Sequence, residues 1–287
     1  MLLGSNNSDD DHMNGLKWMH KQYPAKMQWI GWTALGLCCL LLFTAALSLH
    51  SKPLQGSDYV IQGIDLSHHQ PEVNWQAVGK QPIHFVYLKA TEGGDFQDRR
   101  FQQYWLAARE QGLLVGAYHF YRICREGQVQ ADHFIRTVPK KADALPPVMD
   151  LEFDGNCQNP YSKEKLLKEI KTMYDALYQH YGKAPIFYVS TRFYELILKG
   201  EFQQVPLWIR EYSGQPQLSD QRAWLMWQYT DRGRMAGIKT GIDRNAFYGG
   251  AEQWRSFLQQ QGFSDAAIEA NLKRALPVTR SATAPTR

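Results

Sequence analysis

Beyond residue 58 the chain alternates between two periodicities. Short apolar segments recur at 60–66, 84–89, 114–120, 148–152, 186–190, 207–210, 224–229 and 241–246, each of a length that suits a core strand. Between them lie polar stretches whose apolar positions fall three and four apart, at 73–78, 99–111, 127–137, 163–181 and 193–198, and 251–261 reads as a closing helix. Strands that alternate with helices predict an α/β fold with a parallel sheet. About eight such strands predict closure into a TIM-like barrel. The pattern changes in the last third. Segments 211–223 and 230–240 are rich in Gly, Pro, Ser and Gln and carry no helical period, so the outer helical layer should be incomplete on that side.

The ends differ from this body. Residues 1–26 form a polar leader. Segment 27–50 holds an apolar run that no charge interrupts and that is about 20 residues long, enough to span a bilayer. Lys17, Lys21 and Lys26 precede it, and Trp29 and Trp32 sit at its start. This predicts one N-terminal transmembrane signal-anchor helix with its amino end in the cytoplasm and the rest exported. A signal peptide cut near 46–48 is the competing reading. A linker at 51–58, a barrel domain at 59–262 and a C-terminal tail at 263–287 complete the expected order.

The candidate chemistry sits at strand ends. Asp150 and Glu152 are two residues apart on the fourth strand, so they share a face. Buried acids without partners are costly, and such pairs are tolerated where one acid keeps its proton for transfer. The first strand ends in Asp65, which is flanked by Ile64 and Leu66 and so faces into the barrel. The eighth carries Asp243 and Asn245 on one face. In such barrels chemistry sits at the carboxyl ends of the strands. The four acids would therefore ring one mouth, Asp65 with Asp243 and Asp150 with Glu152 opposite, as glycoside hydrolysis requires. Tyr87, Tyr118, Phe120, Tyr188, Trp208 and Trp227 fall at or near strand ends and are candidate sugar-binding residues, with barrel core as the alternative for each.

Charge and cysteines narrow the picture. The net charge of +4 is spread out, without the basic face of a nucleic-acid binder. His68 and His69 are adjacent, should face opposite sides of an extended segment, and make poor joint metal ligands; no Cys/His spacing suggests zinc, and neither a metal nor another cofactor is expected. No motif for a protein partner is evident. Cys124 follows the third strand and Cys157 the fourth, so loops leaving neighbouring strands can bring them within disulfide range in an oxidising compartment, with two unpaired thiols as the competing reading.

Seven segments together resemble the glycoside hydrolase family 25 lysozymes, which are N-acetylmuramidases: GIDLSHHQ at 63–70, FVYLKATEG at 85–93, GAYHF at 116–120, PVMDLE at 147–152, PLWIREY at 206–212, MWQYT at 226–230 and GIDRNAF at 241–247. The resemblance covers roughly 59–250, in order. It implies an irregular barrel of five β/α units followed by three strands. It also implies cleavage of the β-1,4 bond between N-acetylmuramic acid and N-acetylglucosamine in peptidoglycan, with Glu152 as general acid and Asp150, Asp65 and Asp243 as the other cleft carboxylates. Asn245 joins the aromatic residues as a substrate-binding candidate. Arg210 and Arg244 are departures from the family pattern that bear on fine specificity. The expected partners are peptidoglycan strands and, through the anchor, the inner membrane of a bacterium, with the barrel on the periplasmic side. A peptidoglycan-binding barrel without turnover and a chitinase-like glycosidase are the alternatives.

Overall fold

A computed structural model describes residues 55–275. The expected anchor at 27–50, the leader and the last residues of the tail lie outside them. Among the described residues no helix is long and apolar enough to cross a membrane.

The strands are β1 Gln62–Leu66, β2 Phe85–Glu92, β3 Phe96–Gln97, β4 Leu114–Phe120, β5 Val148–Leu151, β6 Ile186–Ser190, β7 Leu207–Arg210, β8 Met226–Met235 and β9 Ile238–Phe247. The helices are α1 Trp75–Gly79, α2 Phe101–Glu110, α3 Gly127–Thr137, α4 Lys163–Tyr181, α5 Ala251–Gln260 and α6 Asp265–Leu272. A short α turn, Thr191–Phe193, continues as a π-helix, Tyr194–Leu198. The sheet runs β1-β9-β8-β7-β6-β5-β4-β2-β3, and β1 also pairs with β2, which closes it into a barrel with β3 as a hairpin flap on β2. From β1 through β8 each neighbouring pair of barrel strands is parallel.

The last barrel strand departs from the parallel expectation. β9 is antiparallel to both β8 and β1. The segment 230–240, read as an irregular gap, is instead the outer half of a β8–β9 hairpin that turns at Ala236 and Gly237. A connection this short admits only antiparallel strands. Gly237 has φ +98, and a Cβ there would lie 2.7 Å from the Asn74 carbonyl oxygen, so the turn needs glycine on both counts.

Alternation along the strands builds two cores. Ile64, Val86, Val115, Met149, Phe187 and Ile209 pack outward with helix residues such as Phe134, Ile170, Met173 and Leu177. α4 shows how locally consistent this is. Ser162 caps its first turn, Gly182 ends it with φ 69, and Leu166, Ile170, Met173 and Leu177 bury one stripe. Pointing inward are Ile61, Phe85, Leu114, Val148, Ile186, Met226 and Phe247, which fill the floor of the barrel.

That floor is sealed by α5, the expected closing helix, together with residues of the segment expected as a tail. Trp254 of α5 is fully buried, with its ring 5.5 Å from Phe85 and 4.9 Å from Phe247. Its Nε1 donates to Asn271 Oδ1 of α6 at 2.8 Å, and Asn271 Nδ2 donates to the His84 carbonyl at 2.7 Å. Phe263 and Ile268 join the same core. α6 escapes a periodicity search because its outer face, with Ala266, Ala267 and Ala270, is nearly as apolar as its inner one.

Tyr87 lies above this floor, fully buried, its hydroxyl donating to the Pro146 carbonyl at 3.2 Å. Its ring occupies the space a side chain at position 116 would need, since a Cβ on Gly116 would fall 2.1 Å from Tyr87 Cε1. We expect Gly116→Ala to destabilise the barrel by about 1–3 kcal/mol, the usual cost of overpacking. Denaturant unfolding checks this, with Gly116→Ala/Tyr87→Leu recovering part of the loss.

Candidate active site

The upper half of the barrel interior is polar. The inward positions above the floor are Asp65 on β1, Tyr118 and Phe120 on β4, and Asp150 with Glu152 on and just past β5. Tyr188 on β6, Arg210 on β7, Gln228 on β8 and Asp243 on β9 complete the wall. With Val148, Trp208 and Tyr212 they line a cleft of about 210 Å³. The same alternation that fills the floor with apolar groups delivers these side chains to one mouth.

Asp65 is held by neutral donors. Its Oδ2 accepts from Asn245 Nδ2 at 2.8 Å and from Gln228 Nε2 at 3.0 Å. Each amide is itself oriented. Trp208 Nε1 donates to Asn245 Oδ1 at 3.0 Å, and Tyr188 and Tyr212 hydroxyls donate to Gln228 Oε1 at 2.9 and 2.7 Å. Asp243 is the register partner of Asp65 across β1 and β9. Burial, and then the charge of Asp65, push the Asp243 carboxyl up to about 9. Asp65 is also raised by burial, against the pull of its Asn245 and Gln228 hydrogen bonds. Asp243 therefore keeps its proton at neutral pH beside Asp65.

Across the cleft, burial and then the neighbouring Glu152 charge raise Asp150 well above the ordinary carboxylate range. Burial pushes Glu152 up to about 7, although the Arg210 guanidinium works in the opposite direction. Arg210 Nη1 stands 2.7 Å from Glu152 Oε2 as an ion contact, out of line for a hydrogen bond. Asp150 Oδ1 and Glu152 Oε2 are buried without hydrogen-bond partners. The Asp150 oxygen is left free for a ligand, whereas Glu152 Oε2 is met by the Arg210 charge.

A cleft ringed by carboxylates, one poised near neutrality, is what acid-catalysed cleavage of a glycosidic bond needs. The sequence agrees: residues 64–238 match the model of Glycosyl hydrolases family 25. The chain belongs to this family. Among solved structures, a family 25 glycosyl hydrolase from Bacillus anthracis superposes with a TM-score of 0.67 at 40% identity, covering 72% of this chain and 97% of that one. Lysozyme M1 of Streptomyces globisporus is 29% identical over 204 residues, 67% of this chain and 69% of that protein. The Escherichia coli K12 protein YegX is 35% identical over 207 residues, 70% of this chain and 75% of its own length. As a family 25 member the protein is a glycoside hydrolase of the lysozyme and muramidase group.

The family 25 barrel sorts the candidate residues. Asp65, Asp150, Glu152, Asp243, Tyr118, Phe120, Tyr188 and Trp208 line the cleft. Tyr87 does not, because it is packed beneath the cleft and is fully buried. Trp227 does not either. It points outward from β8 into the helix-facing core, and its Nε1 donates to the Glu211 carbonyl at 2.6 Å. Asn245 is fully buried with both ends of its amide engaged, so it orients Asp65 and does not meet a ligand. His68 and His69, expected on opposite sides of an extended segment, sit in a turn with ring centroids 4.2 Å apart, and Asp98 Oδ2 lies 2.7 Å from His68 Nδ1. Gln228 and Tyr212 went unnoticed in the sequence, although both fall within the quoted segments MWQYT and PLWIREY, at positions whose alternation points inward.

Cys124 and Cys157 form a disulfide with a Cα–Cα distance of 6.1 Å. It ties the loop after β4 to the loop after Glu152. Asn156 reinforces the tie, its Nδ2 donating to the Tyr121 and Glu152 carbonyls at 2.8 and 2.9 Å.

The proton on Asp243 has a consequence for stability. Its folded pKa, about 9, lies above its ordinary value of 3.8, so between these values the folded state binds more protons than the unfolded state. Its stabilising contribution is present below about pH 4 and declines as pH rises toward 9. Asparagine imitates the protonated acid and cannot ionise. Asp243→Asn should therefore flatten this decline and unfold at higher temperature than wild type at pH 8, with a stability gain of up to about 5 kcal/mol. Melting curves across pH check it.

Proposed function

We propose that the protein is a muramidase that hydrolyses the β-1,4 bond between N-acetylmuramic acid and N-acetylglucosamine in peptidoglycan, with Glu152 as its general acid. The observation that carries this reading is Glu152 itself. It is a buried carboxyl poised near pH 7, with an oxygen free of hydrogen bonds in a cleft lined by other acids. The printed names of relatives, Lysozyme M1 among them, support the substrate class.

In this reaction Glu152 gives its proton to the glycosidic oxygen as the bond to the sugar carbon breaks. Asp150, on the same face two residues earlier, orients the 2-acetamido group or stabilises the positive charge that develops at the ring. Asp65, oriented by Asn245 and Gln228, faces the sugar from the opposite wall. Tyr118, Phe120, Tyr188 and Trp208 supply faces for sugar rings.

We expect Glu152→Gln to keep the fold and lose about 10²–10⁴ of turnover, because the amide has no proton to give. Wild-type hydrolysis should fall as pH rises through about 7, where Glu152 loses its proton. Product analysis on peptidoglycan and on chitin is the check. Reducing-end muramic acid from the first and no shortening of the second fits the proposal; turnover of chitin, or a fully active Glu152→Gln variant, removes it.

The same reading locates the barrel outside the cytoplasm, held at a bacterial inner membrane by segment 27–50. The lysines at 17, 21 and 26, before the apolar run, motivate this orientation. A periplasm-dependent alkaline phosphatase fused after the barrel should be active in cells of a double-membraned bacterium, and an inactive fusion would reverse the topology.

A further inference from the structure

Two cations reach the acidic mouth. Lys89 is committed elsewhere, with its Nζ 2.7 Å from Glu92 Oε2 and 4.9 Å from the Phe120 ring centre. Arg210 is placed differently. One arm, Nη1, rests 2.7 Å from Glu152 Oε2, and the other, Nη2, donates to Asp154 Oδ2. Asp154 belongs to the loop that follows Glu152; Asn156 Nδ2 donates to the Glu152 carbonyl at 2.9 Å, and the next residue, Cys157, is bridged to Cys124. The guanidinium thus spans from β7 to the loop carrying the acid.

We propose that Arg210 is a positioning residue for the acid: anchored on Asp154, it holds a fixed positive charge against Glu152 and so governs how readily that carboxyl gives up its proton. This deepens the muramidase reading and rests on it. The charged and titratable groups facing Glu152 are Asp65 from β1, Lys89 from β2, Tyr118 from β4, Asp150 from β5, Asp154 from the following loop, Tyr188 from β6 and Asp243 from β9. The carboxylates among them, like burial, push Glu152 toward keeping its proton; Lys89 opposes them from further off. Arg210 is the leading opposing charge. Without it an acid held too firmly would be a weaker proton donor at neutral pH.

The test compares full-length wild type, Arg210→Ala and Arg210→Lys, each with and without Glu152→Gln. Two readouts are followed across pH. The first is the alkaline limb of kcat/KM on peptidoglycan. The second is the difference in unfolding temperature between each protein and its Glu152→Gln partner, which grows with pH until Glu152 has ionised in the folded state and then levels off. In Arg210→Ala both the limb and the levelling point should move up by about one pH unit, as loss of an adjacent opposite charge requires. Arg210→Lys should bring both back toward wild type. A folded Arg210→Ala protein with an unmoved levelling point, or with a changed KM and an unmoved limb, overturns the proposal. If even wild type leaves peptidoglycan intact, the muramidase reading fails, and the levelling point still decides whether Arg210 controls this carboxyl.

Discussion

Carboxylates crowded into a space that water barely reaches repel one another, and the rest of this barrel is arranged around holding them there. Asp65, Asp150, Glu152 and Asp243 face a single cleft and are all mostly buried from solvent. Ionising all of them at once is prohibitively costly in such surroundings. The protein resolves this unevenly. Asp65 receives two amide donors, Asp243 keeps a proton, Asp150 is left with an oxygen unpartnered, and Glu152 is balanced against Arg210. Chemically similar acids thus meet different partners in one cleft, and burial raises the proton affinity of each.

An arrangement of that kind opposes folding, so the stability must come from elsewhere. The floor supplies part of it. Phe85, Phe247, Trp254 and Phe257 stack where the barrel would otherwise open to water, and α6 locks the plug through Asn271. The outer core supplies another part through the outward strand faces and the helix stripes against them. Near the cleft acids the structure relies on ties instead of apolar contact. The disulfide, Asn156 and Arg122, whose Nη1 donates to the Gly155 carbonyl at 2.8 Å, fix the loop after Glu152 to the loop after β4. A loop carrying an acid can be polar and still rigid when its backbone is pinned in this way.

Most of this was legible in the sequence because it follows from alternation with period two. Asp150 and Glu152 on one face, Asp65 between two outward residues, and a barrel with a helix-poor final third are all consequences of strand geometry. The failures have the same source. Tyr87 and Trp227 were judged by their nearness to strand ends, but depth along the strand decides whether an inward residue meets the cleft or the floor, and face decides whether it points inward at all. Tyr87 is inward and too deep; Trp227 is at the right height and outward. The role of Arg210 was out of reach for a different reason. Nothing local marks a residue on β7 as the partner of an acid that follows β5, because that contact depends on strand stagger around the closed barrel.

The reversal of β9 is the case where a departure from the simple barrel matters for chemistry. In an antiparallel pair, directly opposed residues have Cα atoms about 4.5–5.5 Å apart, and their side chains emerge on the same face. The β1–β9 register opposes Asp65 to Asp243, and the flanking pair Ile64 and Arg244 then takes the other face. A slip of one residue would bring Arg244 or Ile242 opposite Asp65 and turn Asp243 away from the cleft. Register is therefore what sets these two acids side by side, and the hairpin is what brings β9 back antiparallel to β1. Its turn at Gly237 is fixed by a backbone conformation that favours glycine and by the Asn74 amide, which donates to the Gly237 carbonyl at 2.8 Å. The surroundings of an acid in the cleft thus depend on a strand reversal made at a turn well away from it, with the β8–β9 bulges and the β1–β9 pairing deciding where Asp243 falls.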